Sequence, residues 1–128
     1  MPYARISLLK GKPKAYLRAV SASLQRALVE TFQVPEGDQF QVFHQLEHEE
    51  LVFDRHYLGG PRSDDFLLIA ITAGRPRDTD TKRAFYRCLA QRLAESPGIQ
   101  SRDVMVVINT TGLDDWSFGD GRATMLEG

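Results

Sequence analysis

Two short runs, Phe66 to Ile71 and Val104 to Ile108, are apolar at nearly every position. Apolar runs of this length read as strands, and strands without a polar face belong to sheets that are covered on both sides. Between them, from about Thr79 to Glu95, Phe85, Leu89 and Leu93 recur at helical spacing and define a buried stripe. Asp78 or Asp80 can cap the start of that helix, and Ser96-Pro97-Gly98 stops it. The second half of the chain therefore reads as a βαβ unit.

The first half repeats the plan. Ala4, Ile6 and Leu8 alternate with Tyr3, Arg5 and Ser7, the period of a half-buried strand. Beyond Gly11 and Pro13 the period changes, and Leu17, Val20, Leu24, Leu28 and Phe32 mark a long amphipathic helix that ends before Pro35. Phe40, Val42 and Phe43 lie in a second strand, and Leu51-Val52-Phe53 is expected to form a further short piece after the acidic stretch Glu47 to Glu50. The halves share a pattern and little residue identity. With 128 residues the chain makes one domain, residues 1–128. Two helices cover only one face of a four-stranded sheet, so the other face is expected to be covered by a second subunit.

Composition narrows the function. Sixteen Lys plus Arg against seventeen Asp plus Glu leave a net charge of −1, with no basic field for a nucleic-acid backbone. The apolar runs fall far short of the roughly 20 residues of a membrane helix. Residues 1–5 lack the pattern of a secretory leader, and the single Cys88 forms no internal disulfide; both agree with a cytoplasmic location.

Several residues can carry chemistry. Pro2 follows Met1, and removal of that Met would leave a secondary amine whose ring fixes φ. Nearby Arg charge or burial favours its neutral, basic form, whereas a nearby carboxylate favours the ammonium form that acts as an acid. Arg75-Pro76-Arg77 follows an apolar strand and precedes a helix, where open sheets place ligands, and two guanidinium groups there suit a carboxylate or an enolate oxygen. The same pair also serves simply as a solvated helix start. Asp38, in the turn Val34-Pro35-Glu36-Gly37-Asp38, closes a turn unless the fold brings it to Pro2.

Other motifs are weaker. His44-Gln45-Leu46-Glu47-His48 has the spacing of a zinc-peptidase motif, but on a strand its two imidazoles lie about 13 Å apart and cannot share a metal. His44, His48 and His56 are read as ordinary residues, and Cys88 as a buried structural thiol. Gly59-Gly60-Pro61-Arg62-Ser63 has the chemistry of a turn, without the helix start or Lys of a phosphate loop. Past the last strand, Trp116 and Phe118 stand beside glycines, suited either to wall a pocket or to pack as an arm along a neighbour.

Taken together, Pro2, Val34-Pro35-Glu36-Gly37-Asp38, Arg75-Pro76-Arg77, Asp115-Trp116-Ser117-Phe118-Gly119 and Gly121-Arg122-Ala123 resemble the tautomerase superfamily, most closely its malonate semialdehyde decarboxylase branch. The resemblance spans essentially the whole chain, with the motifs in order from Pro2 to Met125. It implies an α/β (α+β) fold, βαβ-βαβ, with a four-stranded sheet, two helices on one face and a homotrimer with sites near subunit boundaries. By position, Pro2 matches the amino-terminal catalytic proline, Asp38 the carboxylate beside it, and Arg75 and Arg77 the pair that holds the substrate. Trp116 and Phe118 match the apolar wall, and Met125 stands where the family has another aromatic.

The implied mechanism uses no cofactor and no metal. Arg75 and Arg77 would bind the carboxylate of a small 3-oxo acid while protonated Pro2 polarises its carbonyl, so that malonate semialdehyde yields acetaldehyde and carbon dioxide. In the tautomerase alternative a neutral Pro2 moves a proton within a 2-oxo acid such as phenylpyruvate. A third alternative, from another class, is a non-catalytic trimeric protein that keeps the Arg75/Arg77 anion site. A chain that retains Met1 has no amine at Pro2 and is expected to be inactive in chemistry that depends on it.

Overall fold

The alternation of β1, Pro2–Leu9, sends Pro2, Ala4, Ile6 and Leu8 to one side and Tyr3, Arg5, Ser7 and Leu9 to the other. The computed structural model describes residues 1–127. In it β1 is followed by α1 (Lys14–Phe32), β2 (Gln41–Leu46), β3 (Leu67–Ala73), α2 (Thr79–Glu95), β4 (Val104–Thr110) and a short α3 (Thr124–Glu127). The sheet order is β2-β1-β3-β4. β1 runs parallel to β2 and β3 parallel to β4, while β1 and β3 meet antiparallel. Each half is thus a βαβ unit, as the repeated pattern predicts.

Local chemistry sets the helix ends. Gln33 adopts a left-handed conformation (φ 57°) and returns its N–H to the Leu28 carbonyl, which closes α1 ahead of Pro35. Of the two candidate caps for α2, Asp78 is the one used, accepting from Thr81 N at 2.8 Å. Both helices lie on the Ala4/Ile6/Leu8 side, where Val20, Leu24, Phe85, Leu89 and Leu93 are fully buried against Ile69 and Ile71. Phe32 and Phe85 join the two helices ring to ring at 4.8 Å. Each such side chain contributes roughly 1.5–3 kcal/mol by burial, so the stripe fixes which end of α1 meets which end of α2.

The expected strand piece at Leu51-Val52-Phe53 does not form. These residues belong to the long connection between β2 and β3, which lies across the helix-free face instead of along a sheet edge. Side chains anchor it there: Leu51 packs with Leu9 and Phe66, and the Phe53 ring stacks on Phe66 at 4.2 Å. Its far end is tied down by Asp103, a buried carboxylate that accepts from Ser63 N (2.6 Å) and Ser63 Oγ (2.7 Å). The chain therefore covers part of its own second face, and the exposed apolar remainder on the sheet lies at Val42 of β2 and Met105 and Val107 of β4. Among the described residues no helix is long and apolar enough to cross a membrane.

Candidate active site

Strand polarity gathers the candidate residues. The first residue of β1, the start of β2 and the last residues of β3 and β4 all lie at one end of the sheet, because β1 and β2 run away from that end while β3 and β4 run towards it. Pro2 pairs with Ala73, and Ala4 N donates to the Phe40 carbonyl at 3.0 Å, which seats the Asp38–Phe40 segment beside the chain's amino terminus. Asp38 and Pro2, distant in sequence, become neighbours.

Met1 occupies the centre of this end. Its ammonium lies 3.1 Å from Asp38 Oδ2, both side chains being largely buried, and its carbonyl accepts from Gly74 N at 3.1 Å. The Met1 side chain lies over Gly74, next to Trp116. A Cβ on Gly74 would overlap the Met1 methyl and approach Trp116 Nε1 to 3.3 Å, so glycine is needed here for close approach. With Met1 attached, the Pro2 nitrogen is an amide, and neither base nor acid.

The two arginines differ in setting. Arg75 is exposed. Arg77 is half-buried: its guanidinium lies 4.6 Å over the Phe32 ring and donates to the Phe32 carbonyl (3.3 Å) and the Arg75 carbonyl (3.0 Å). Burial, then the Arg75 charge, lowers its pKa from the ordinary value, and a guanidinium tolerates that without losing its proton. Arg77 is thus a preset cation on the helix side of the sheet end, and Arg75 an exposed one at its rim.

Trp116 closes the opposite side. Its Nε1 donates to Thr111 Oγ1 (2.7 Å), and Thr111 in turn donates from both N (2.8 Å) and Oγ1 (3.0 Å) to the carbonyl of Ala73, the sheet partner of Pro2. The arm after β4 therefore folds back on its own subunit. Phe118 stacks on Trp116 with centroids 5.7 Å apart, and Phe40 packs on Phe118 at 5.7 Å. Met125 stands apart on α3, 38% exposed, and is not among the residues lining the groove beside Trp116 and Phe118.

Sequence reading did not single out Phe40, Thr111 or Gly74. The signal for Phe40 was its place two residues after Asp38; Gly74 and Thr111 offered none beyond lying at strand ends. Cys88 is only half-buried, not a core thiol: its Sγ donates to Glu30 Oε2 at 3.4 Å in a surface cleft between α1 and α2, and burial pushes its pKa up. His44 lies on β2, and His48 in the turn after it faces Asp64 at 3.4 Å.

A model of the tautomerase enzyme family matches residues 38–119, and a second tautomerase model matches residues 2–59. The chain belongs to the tautomerase superfamily. This tautomerase-superfamily chain is 36% identical to the probable tautomerase YusQ of Bacillus subtilis (strain 168), over 99% of the chain and 100% of the relative. Among solved structures, malonate semialdehyde decarboxylase, described with decarboxylase and hydratase activities, superposes with a TM-score of 0.92 at 32% identity, covering 98% of this chain and 96% of that one. A fused 4-OT symmetric trimer shares the fold alone, with a TM-score of 0.78, 18% identity and 98% of each chain covered. The tautomerase-like architecture read from the sequence is thus the one the chain adopts.

Proposed function

We propose that the Met1-free protein is a cofactor-free decarboxylase of 3-oxo acids, with malonate semialdehyde as the simplest substrate. The observation that carries this reading is the 3.1 Å contact between the amino-terminal ammonium and Asp38. The nitrogens of Met1 and Pro2 are three covalent bonds apart, so after removal of Met1 the Pro2 amine lies within reach of the same carboxylate. A carboxylate at that distance favours the ammonium form, which makes Pro2 an acid at neutral pH.

The chemistry then follows. Arg75 and Arg77 hold the substrate carboxylate, and the Pro2 ammonium polarises the carbonyl, by hydrogen bonding or as an iminium formed with loss of water. Loss of Met1 also frees the Gly74 N–H, a neutral donor facing the vacated space. The electron pair of the bond to the departing carboxyl group flows into the carbonyl or iminium, carbon dioxide leaves, and protonation at carbon gives the aldehyde, with hydrolysis returning the amine in the iminium case. Trp116 and Phe118 would form an apolar wall across the sheet end from Arg77, with Met125 outside the groove that they line. Assembly as a homotrimer would cover the exposed Val42, Met105 and Val107.

A second reading is favoured by the curated relative, named a probable tautomerase. It uses the same residues with Pro2 neutral, moving a proton between carbon and oxygen of a 2-oxo acid. The two separate on the charge of Pro2, which a ¹⁵N NMR titration of the free terminus measures. An ammonium at pH 7 that becomes neutral there in Asp38→Asn supports the decarboxylase, and a neutral amine in the unaltered protein supports the tautomerase.

A further inference from the structure

The turn that carries Asp38 is fastened to the helix layer by side chains of α1. Gln25 Nε2 donates to the main-chain carbonyl of Asp38 at 3.1 Å and to that of Glu36 at 3.4 Å. One helical turn earlier, on the same face of α1, the Ser21 hydroxyl accepts from Gln39 Nε2 at 3.1 Å and donates to Gln41 Oε1 at 2.6 Å. Gln41 pairs with Ala4 in the sheet, so its side chain lies on the helix side, where Ser21 meets it. Ser21 and Gln25 are half-buried, which shields their hydrogen bonds in part from competing water. Arg26 also pairs with Glu36, at 3.3 Å, but both are exposed, and such pairs hold little.

The Asp38 carboxylate itself is held by nothing comparable. Among the described residues its one ion-pair partner is the amino terminus, 3.1 Å away. Its position therefore follows from its backbone, which Ala4 N anchors through the Phe40 carbonyl and Gln25 holds directly. We propose that Gln25 is a positioning residue for the reaction, holding the Asp38 backbone so that the carboxylate stays against the Pro2 amine, with Ser21 bracing the residues that follow. The inference rests on the Pro2-centred reading above and adds to it a residue of α1 that acts only through Asp38. A carboxylate stabilises an ammonium more the closer it lies, so a slackened turn weakens the hold of Pro2 on its proton. Arg75 and Arg77, the cations at this sheet end, oppose the ammonium, and Arg77 is held by Phe32 and the Arg75 carbonyl, not by Gln25.

Gln25→Met keeps the length and the helix propensity of the side chain and loses its N–H donors. In the Met1-free protein the Pro2 amine is titrated by ¹⁵N NMR, which needs no turnover. Gln25→Met is expected to move the Pro2 titration midpoint down by about 0.5–1 pH unit, in the same direction as Asp38→Asn and by less, and Ser21→Ala by a smaller amount again. Added to Asp38→Asn, Gln25→Met shifts the midpoint no further, because the group it positions is gone. The alkaline limb of kcat/KM moves down in pH with the midpoint. A midpoint that Asp38→Asn lowers and Gln25→Met leaves in place overturns the proposal while keeping Asp38 in the mechanism. An equal shift by Gln25→Met with and without Asp38 overturns it too, since that marks a general loosening of the fold. A midpoint that Asp38→Asn fails to lower overturns the Pro2–Asp38 reading and the inference with it. Absent decarboxylation with the Pro2, Asp38 and Gln25 shifts intact supports the positioning and removes the decarboxylase assignment alone.

Discussion

Asp38 meets the amino terminus of its own chain: its carboxylate oxygen lies 3.1 Å from the Met1 nitrogen, at the point where β1 starts and β2 is about to. The contact depends on the β1–β2 pairing, since Ala4 N holds the Phe40 carbonyl and so fixes the turn that carries Asp38. A carboxylate and an amino group are thereby set against each other by backbone geometry.

Retention of Met1 should abolish activity. The Met1-bearing chain has an amide at Pro2 and fills the space between Asp38, Gly74 and Trp116. Positioned acid–base groups contribute roughly 10²–10⁴-fold, so its turnover is expected to lie at least about 100-fold below that of the Met1-free form, with the two distinguished by mass spectrometry. Equal rates would remove Pro2 from the mechanism.

The two arginines should respond differently to substitution. Arg75 is exposed, so Arg75→Ala is expected to lower kcat/KM about 10- to 100-fold with the thermal midpoint unchanged. Arg77→Ala removes the contact with Phe32 and a hydrogen bond to its carbonyl as well, and should add a stability loss of about 1 kcal/mol, visible in urea melts. Arg77→Lys keeps the charge without the planar fork and should recover only part of either loss.

Much of this fold was legible because its signals are local. The apolar stripe Leu17 to Phe32, the turn at Ser96-Pro97-Gly98 and the unbroken runs at Phe66 and Val104 need no tertiary information to be read. Pro2, Asp38, Arg75 and Arg77 were legible as types of chemistry, yet their meeting at one sheet end follows from strand polarity, which no local pattern states. Leu51-Val52-Phe53 misled for the complementary reason: three apolar residues in a row can pair as a strand or anchor a loop by side chains, and the packing of Phe53 on Phe66 decided for the loop. Phe40 was read as a strand residue because alternation tells which side a ring faces, not which partner it finds. Thr111 and Gly74 act through a hydrogen bond and an absent Cβ, neither of which leaves a trace in the sequence.

Asp103 should matter for stability and not for catalysis. It anchors the β2–β3 connection through Ser63 at the end of the sheet away from Pro2. Asp103→Ala leaves the Ser63 N–H without this partner and should cost about 2–4 kcal/mol in chemical denaturation, while kcat/KM of the folded fraction stays within about twofold.

Alkaline stability offers a test on Tyr16. Burial first, then the charges of Asp65 and Asp103, push its hydroxyl from 10.0 up to about 12. The unfolded chain gives up that proton near pH 10 while the folded one keeps it, so the contribution of Tyr16 to stability is whole below pH 10 and is lost as pH rises towards 12. Tyr16→Phe has no such proton, and its thermal midpoint should fall less than that of the unaltered protein across this window.

Whether Pro2 drives decarboxylation is decided by a proton NMR time course of malonate semialdehyde with protein whose Pro2 terminus has been confirmed free by mass spectrometry. The account predicts acetaldehyde forming well above the protein-free rate, and loss of that acceleration in Pro2→Ala. No acceleration by the Met1-free protein, or an acceleration that survives Pro2→Ala, would contradict it.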